Sequence, residues 1–352
     1  MSEWELANTL REYFSDQNRF RWEKTLPAGV TGFLFCFQER SLSTNDVRRF
    51  VVKCPQDPIE TAIRGGINNE KNWLQYAEHV INILTIENNP LLPNVESPDG
   101  FDYDYVILEY MENGTLGTFL ERIQGENIPN RILWYLFLCM VRACVEMAYP
   151  PEAGGGEQTR SSVIPSTLGH WDMHNNNFMF GSLYPNDFEH HLVPILKLID
   201  FDLATEGKGE GEMWSKDAHQ KFDEELELFR HNQQSSVRNH GINANVLGIG
   251  MAMCCNVRQE EWMSRNNCRE AIQHELPYLD DDLQMLILRC LAVDPENRPS
   301  LEELLTTTYA AVSTRDAVWY DQAGWPTRLD ETDEAIRDIV QGYILDADKA
   351  WI

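Results

Sequence analysis

Two neighbouring segments of the chain combine polar residues at fixed spacing with short apolar runs. The first, GHWDMHNNNFMFG at 169–181, places Asp172 five residues before Asn177. The second, LVPILKLIDFDLA at 192–204, delivers Asp200 from the apolar run ILKLI, which predicts a rigid strand. One carboxylate can accept the proton of a hydroxyl nucleophile, while an amide oxygen and a second carboxylate suit the hard cation Mg²⁺. The pattern favours phosphoryl transfer.

The composition indicates a folded chain and excludes one class of partner. Of its 352 residues 43% are hydrophobic, so the chain can bury a sizeable core, most naturally divided between two lobes. The 56 Asp and Glu residues outnumber the 29 Lys and Arg residues, which gives a formal net charge of −27. Because a polyanion needs a basic surface, we expect no nucleic-acid partner.

The N-terminal sequence and the cysteines bear on the compartment. MSEWELANTLREYFSDQNRF has neither the basic nor the apolar region of a secretory signal, and eighteen apolar residues never run together. The eight cysteines mostly lie in apolar runs without a CxxC pair, which predicts buried thiols in a reducing compartment and no zinc site. We therefore expect no membrane association and a cytoplasmic or nuclear location.

The order of apolar patterns predicts an α+β fold. A leading helix within residues 1–19 precedes strands in GVTGFLFCFQ and RRFVVKC, a helix over GINNEKNWLQYAEHVINIL and a strand in YDYVILEYM. Long apolar runs such as ILWYLFLCMVRACVEMA make the second half mainly helical. The loop at 150–162 and the acidic stretch at 206–227 are expected to be exposed. The last forty or so residues suggest a polar, partly helical extension.

HWDMHNNN at 170–177 resembles the catalytic loop HRDxxxxN of eukaryotic protein kinases, and IDFDLA at 199–204 is similar to their IDFGLA. Six further segments resemble kinase motifs in the expected order: LPAGVTGFLF, FVVK, NNEKNWLQ and VILEYMENGTL before the catalytic loop, and ANVLGIGMAM and LRCLAVDPENRPSLEELL after the acidic stretch. The resemblance implies a bilobal protein-kinase-like fold. Its expected parts are a helical leader at 1–19, a small β-rich N-lobe at 20–112, a larger helical C-lobe at 113–312 and a helical extension at 313–352.

The same resemblance implies ATP and Mg²⁺ as cofactors and assigns roles to residues of the first lobe. Lys53 would neutralise the nucleotide phosphates and pair with Glu70. Gly29 and Gly32 would allow backbone N–H groups to approach the phosphates. The backbone of Glu109 and Met111 would meet the adenine edge, next to Leu108 at the back of the pocket.

In the second lobe, Asp172 would be the catalytic base, and Asn177 and Asp200 would be the metal ligands. His174 occupies the place where kinases acting on Ser or Thr usually carry a Lys, and it also resembles the loop of small-molecule phosphotransferases with the kinase fold. It could donate a hydrogen bond, and its charge would titrate near neutrality.

Four residues depart from the kinase pattern. Pro27 replaces the first glycine of the phosphate loop, Trp171 replaces an Arg, Asp202 replaces the glycine of DFG, and Asn245 replaces a buried Asp. No Ala-Pro-Glu occurs between Asp200 and Asn245, so the sequence provides no acidic partner for Arg298.

These residues leave three functions open. The first is a kinase that transfers the γ-phosphate of Mg-ATP to protein Ser or Thr. The second is a small-molecule kinase, indicated by His174 and the missing peptide-groove motif. The third is a pseudokinase that binds nucleotide or a partner without chemistry, indicated by the departures. Because the surface is acidic, a basic or neutral hydroxyl substrate is expected.

Overall fold

The computed structural model describes residues 1–27, 32–42, 44–56, 66–74, 78–93, 100–150, 159–160, 162–206, 239–274 and 276–345. The predicted mixture of α and β structure is confirmed, with 43% helix and 15% strand. The chain forms two compact units. Unit 1 comprises Met1–Tyr110 with Asp200–Ala204, and unit 2 comprises Met111–Ile199 with Thr205–Ile352.

Unit 1 is built on an antiparallel sheet in the order β1-β2-β3-β4. Its elements are α1 (Glu3–Tyr13), β1 (Phe20–Leu26), β2 (Gly32–Arg40), β3 (Val47–Pro55), α2 (Gly66–Trp73) and β4 (Val106–Glu109). In the register, Lys53 of β3 lies opposite Leu34 of β2 and Val106 of β4. This central position gives Lys53 a rigid backbone on both sides.

The N-terminal helix α1 is part of the core of unit 1. Ser2 and Glu5 form a reciprocal capping box at its start, which satisfies backbone donors that the first turn leaves unpaired. Leu6 and Leu10 are completely buried in the same apolar cluster as the sheet residues Phe35, Phe37 and Phe50. The helix ends at Tyr13, six residues before the end of the leader expected from the sequence.

Two expectations for unit 1 differ from the structure. The helix predicted over residues 66–84 stops at Trp73, and the prediction is wrong for residues 78–84. There Ile83 forms a bridge with Leu108, and the Leu84 N–H donates to the Ile107 carbonyl, because β-branched residues suit an extended edge beside β4. The strand β1, over FRWEKTL, was not predicted.

Unit 2 is mainly helical. Its helices are α3 (Leu116–Arg122), α4 (Asn130–Ala148), α5 (His240–Arg258), α6 (Arg265–Gln273), α7 (Asp281–Cys290), α8 (Leu301–Thr314), α9 (Ala317–Gln322) and α10 (Asp333–Val340). Two small antiparallel pairs join β5 (Leu168–Gly169) to β8 (Thr205–Glu206) and β6 (Phe178–Phe180) to β7 (Leu196–Leu198). The helix α4 is buried along nearly all its length, as its apolar sequence predicts.

The C-terminal segment packs into unit 2 more deeply than a polar extension would. Tyr320 of α9 is buried, and its hydroxyl donates to Asp280 at 3.0 Å. Glu331 is completely buried, and its carboxylate accepts the backbone N–H groups of Asn130 and Arg131 at 2.8 and 3.0 Å. The segment therefore supplies polar contacts to the start of α4.

All eight cysteines are free and buried, as the sequence predicts for their side chains. Burial raises the pKa of the thiols of Cys54 and Cys290 to about 12. The thiols are therefore protonated at neutral pH. The acidic stretch expected at 206–227 lies outside the described residues after Glu206, and most of the loop expected at 150–162 does as well.

Candidate functional site

Lys53 lies at the centre of a charged cluster in unit 1. Its side chain is almost completely buried, with 5% of the residue exposed. The Nζ atom lies 2.9 Å from Glu70 Oε1, 2.9 Å from Asp200 Oδ1 and 3.2 Å from Asp202 Oδ1. A plain surface lysine would extend its ammonium into water, so this side chain has a different role.

The carboxylates around this ammonium are positioned by a helix, by a hydrogen bond to the backbone and by an unusual backbone conformation. Glu70 projects from α2 and is completely buried. The neighbouring Asn69 donates from Nδ2 to the Asp202 carbonyl at 2.9 Å, which ties the segment of residues 200–204 to α2. Asp200 has a left-handed backbone with φ of 63°, a conformation that Asp tolerates better than most residues. Such local strain is common at functional sites.

The charges of the cluster do not balance. Burial alone would lower the pKa of Lys53, but Glu70, Asp200 and Asp202 outweigh it and hold that pKa well above its usual range. Burial raises the pKa of Glu70 to about 7, since the attraction of Lys53 is opposed by the charges of Asp202 and Asp200. One ammonium therefore faces more carboxylate charge than it can neutralise.

The two glycines predicted for phosphate binding have different outcomes. Gly29 lies outside the described residues. Gly32 starts β2, and a Cβ added there would lie 3.1 Å from both the Lys53 Cε and the Cys54 carbonyl oxygen. The absence of a side chain at Gly32 thus makes room for the Lys53 side chain to cross the sheet. Sequence reasoning assigned Gly32 only to backbone contacts with phosphate.

Glu109 and Met111 were predicted to act through their backbones. The Glu109 carboxylate accepts hydrogen bonds from the Asn82 backbone N–H at 2.8 Å and from Asn82 Nδ2 at 2.9 Å. Its own N–H donates to the Asn82 carbonyl at 3.0 Å, so Glu109 secures the edge of the sheet in unit 1. Met111 begins unit 2 and is buried, with its terminal methyl group beside Gly181.

In unit 2, the predicted base and metal ligand are joined by hydrogen bonds. Asn177 Nδ2 donates to the Asp172 carbonyl at 2.9 Å and to Asp172 Oδ2 at 3.1 Å. The short 3₁₀ turn Asn175–Asn177, immediately before β6, brings the two side chains together. Within the described part of unit 2, the Asn177 amide oxygen accepts no hydrogen bond, and an oxygen of this kind suits Mg²⁺.

His174 contacts the same carboxylate. Its Nδ1 accepts the Asn176 backbone N–H at 3.2 Å, and its Nε2 lies 3.5 Å from Asp172 Oδ2. Because Nδ1 accepts the Asn176 N–H, the other ring nitrogen, Nε2, is the one that faces the Asp172 carboxylate. His174 therefore lies beside the predicted base, at a distance from which it can influence the position of that carboxylate.

His170 and Asn245 both hydrogen-bond to the backbone of this loop. The kinase resemblance implies that position 245 accepts such a bond, whereas the contacts of the His170 side chain were not predicted from the sequence. His170 Nδ1 accepts the Asp172 backbone N–H at 3.3 Å, while Nε2 bonds to the Ile199 carbonyl at 3.0 Å. Asn245 accepts the His170 N–H and donates to the Leu168 carbonyl, both at 2.9 Å. A neutral amide oxygen accepts a hydrogen bond more weakly than a carboxylate. At position 245 this loss is offset by the second bond, which an ionised Asp could not make.

Trp171, another departure from the kinase pattern, and Arg298, which lacks its usual partner motif, both have clear local roles. Trp171 adopts a left-handed backbone with φ of 64°, and a Cβ at Gly169 would lie 2.5 Å from its indole ring. Gly169 thus makes room for the Trp171 side chain. Arg298 donates to the backbone carbonyls of Ala292 and Asn243 at 3.1 and 2.8 Å. Two donors of the Arg298 guanidinium are therefore satisfied by backbone oxygens, and the bond to Asn243 stabilises the start of α5.

Comparisons with known proteins assign no family to the chain. No model of a protein family matches it, and no curated protein sequence is significantly similar to it. No helix in the described ranges is both long and apolar enough to cross a bilayer. The functional interpretation rests on the geometry of the two residue clusters.

Proposed function

We propose that the chain is a divergent kinase-like phosphotransferase that moves the γ-phosphoryl group of Mg-ATP to a hydroxyl of protein Ser or Thr. The observation that carries the proposal is the buried ammonium of Lys53, held at 2.9 Å by both Glu70 and Asp200. A cation fixed in this way suits binding of phosphate oxygens, because its position is set before the ligand arrives. The proposal includes the bilobal kinase-like fold with its lobes at 20–112 and 113–312.

Each residue of the two clusters has a stated task in this reaction. Lys53 binds phosphate oxygens of ATP, and Glu70 keeps the ammonium in place. Asp172 accepts the proton of the attacking hydroxyl, with its carboxylate oriented by Asn177 and His174. In this proposal Asp200 would offer a carboxylate oxygen and Asn177 an amide oxygen to Mg²⁺, as the kinase resemblance implies, and the ion would neutralise phosphate charge.

The test compares wild type with Asp172→Asn in labelled ATP and Mg²⁺, with a generic basic protein as acceptor. We expect transfer or autophosphorylation by wild type and a loss of about 10²–10⁴-fold in the variant, since removal of a general base costs this much. Asp330→Asn, at an exposed position, is the matched control and should keep full activity. Equal incorporation by wild type and Asp172→Asn would refute the proposed role of Asp172.

One observation favours a second function, a pseudokinase that binds nucleotide without turnover. Asp202 lies 3.2 Å from Lys53 Nζ, so a third carboxylate competes with phosphate for the ammonium. A thermal shift with ATP, measured with and without Mg²⁺, separates the two functions when combined with the transfer assay. Stabilisation by ATP with no transfer would support the pseudokinase, whereas transfer abolished by Asp172→Asn would exclude it.

A further inference from the structure

Among the residues that the structure describes, three carboxylates of unit 1 surround the Lys53 ammonium. Glu70, Asp200 and Asp202 each offer one oxygen atom, and these atoms lie within 4.8 Å of one another. When ionised, these four side chains together carry three negative charges and one positive charge, a difference of two. A divalent cation has the charge that would neutralise this surplus.

A second observation points to a ligand at the same place. Glu70 is completely buried, and Lys53 Nζ bonds to its Oε1 atom. The other carboxylate oxygen, Oε2, is buried and has no hydrogen-bond partner among the residues that the structure describes. A buried carboxylate oxygen without a donor is costly, and a cation would supply the missing interaction.

Another buried carboxylate in unit 1 shows the usual arrangement. Glu39 is as buried as Glu70, but Arg19 Nη2 lies 2.7 Å from its Oε1 and Arg48 Nη2 lies 2.8 Å from its Oε2. Both oxygens of Glu39 thus have a cationic partner. Glu70 differs because its Oε2 atom has no such partner among the described residues.

The donor set also restricts the kind of cation. All three side chains offer carboxylate oxygens, which hard divalent cations such as Mg²⁺ and Mn²⁺ prefer. Asp202 is buried, and its backbone is fixed by the bond from Asn69 to its carbonyl, so the third carboxylate is held in position. Because the ligands are held in defined positions, a cation should bind at this site specifically and more tightly than it binds elsewhere on the acidic surface.

We propose that Glu70, Asp200 and Asp202 form a site that binds one Mg²⁺ or Mn²⁺ ion in the absence of nucleotide. Glu70, Asp200 and Asp202 would hold the ion through carboxylate oxygens, and its charge would offset part of the negative charge that now surrounds Lys53. The site shares Asp200 with the proposed function, but it requires neither ATP nor transfer. Asp202 and Glu70 are its distinguishing ligands.

The experiment is a titration of nucleotide-free protein with Mn²⁺, followed by the electron paramagnetic resonance signal of free Mn²⁺ at physiological salt. We expect each chain to bind one Mn²⁺ ion with an affinity clearly higher than that of the remaining acidic surface. Mg²⁺ should displace this ion. Asp202→Asn and Glu70→Gln each remove one charged ligand and should weaken this binding by about tenfold or more. Glu39→Gln, the matched buried carboxylate, should leave it unchanged.

Thermal unfolding of each variant without metal shows whether it is folded. A measurement on wild type alone adds a check that needs no variant, because Mn²⁺ should raise its melting temperature when ATP is absent. Absence of this tight Mn²⁺ binding in wild type would overturn the proposal. The proposal would also be overturned if folded Asp202→Asn and Glu70→Gln bound Mn²⁺ as tightly as wild type. The same holds if wild type bound Mn²⁺ only in the presence of ATP.

Lys53→Met separates this inference from the proposed function. The variant should lose phosphoryl transfer, because the phosphate-binding ammonium is gone. It should bind Mn²⁺ at least as tightly as wild type, because a positive charge has been removed from beside the site. Weaker Mn²⁺ binding in a folded Lys53→Met would contradict the inference, whatever its effect on transfer.

Discussion

The buried side chain of Asn245 makes two hydrogen bonds to the loop that carries Asp172. Its amide oxygen accepts the His170 N–H, and its amide nitrogen donates to the Leu168 carbonyl. An Asp at this position keeps only the first bond, and it places a negative charge against a carbonyl oxygen in a buried environment. We therefore expect Asn245→Asp to lower the free energy of unfolding by about 2 kcal/mol at pH 7.

Urea unfolding measures this effect. Asn267→Asp is a suitable control, because Asn267 is exposed in the first turn of α6, where a negative charge is tolerated. The control should change stability by no more than about 0.5 kcal/mol. Equal stability of Asn245→Asp and wild type would mean that the amide nitrogen contributes little to holding the loop.

Glu70 gives a prediction about pH. Burial raises the pKa of its folded-state carboxyl from 4.5 to about 7, so the folded chain keeps a proton that the unfolded chain has released between these values. The contribution of Glu70 to stability therefore falls as pH rises from about 4.5 to 7. Since Gln does not titrate, the stability of Glu70→Gln relative to wild type should rise by up to about 3 kcal/mol over this window.

Urea unfolding at pH 5.0 and pH 7.5, with a chelator to remove metal ions, measures the difference. Glu334→Gln, at an exposed position on α10, serves as the control for the substitution itself. A relative stability of Glu70→Gln that is the same at both pH values would show that the carboxyl is not perturbed. A relative stability of Glu70→Gln that falls as the pH rises would contradict the prediction.

Single residues also show what the sequence could and could not predict. The motifs identified Lys53, Glu70 and Asp200. In the structure Lys53 Nζ lies 2.9 Å from an oxygen of each of the two carboxylates. The contact of Asp202 with the same ammonium was not predicted, because the direction of its side chain depends on how residues 200–204 pack against α2. The bracing bonds of His170 were missed for the same reason.

At the level of elements, Glu331 caps a helix that begins two hundred residues earlier in the chain. The residue before α4 is Pro129, which offers no side-chain hydrogen bond, so the first turn lacks a local cap. Glu331 accepts from the backbone N–H groups of Asn130 and Arg131 instead. A carboxylate at this end also interacts favourably with the helix dipole.

We expect Glu331→Ala to lower the free energy of unfolding by about 2–4 kcal/mol, because buried backbone donors lose their partner. Chemical denaturation of the full chain, monitored by tryptophan fluorescence, measures the change in the free energy of unfolding. Glu334→Ala, on the exposed face of the adjacent helix α10, is the matched control and should cost no more than about 0.5 kcal/mol. Similar losses in the two variants would refute the cap.

Elements were predictable where one local pattern dominated. The buried helix α4 matches its long apolar run, and β2 and β3 match short runs of apolar and β-branched residues bounded by turn signals. Residues 78–84 were assigned to a helix because their apolar spacing also fits one. Their extended form depends on bonds to β4, such as that from Glu109 N–H to the Asn82 carbonyl, which no local pattern encodes.

For the whole molecule, the net charge of −27 affects which substrate would reach the proposed active centre. At low ionic strength the acidic surface repels anions and attracts cations over a distance set by the Debye length, about 30 Å at 0.01 M and 10 Å at 0.1 M. ATP, the proposed phosphoryl donor, is itself an anion, and in the proposed function Mg²⁺ together with Lys53 would offset that repulsion locally. A peptide substrate has no such compensation, so its own charge should determine its rate of encounter.

We therefore expect a basic Ser-containing peptide to have a kcat/KM at least about tenfold higher than an acidic peptide of equal length at 0.02 M NaCl. The ratio should fall towards one as NaCl rises to about 0.5 M, because salt screens attraction and repulsion alike. A neutral peptide is the control, and its rate should change least. A ratio that persists at high salt would indicate direct contacts at the acceptor site. Preference for the acidic peptide at low salt would contradict electrostatic selection by the acidic surface.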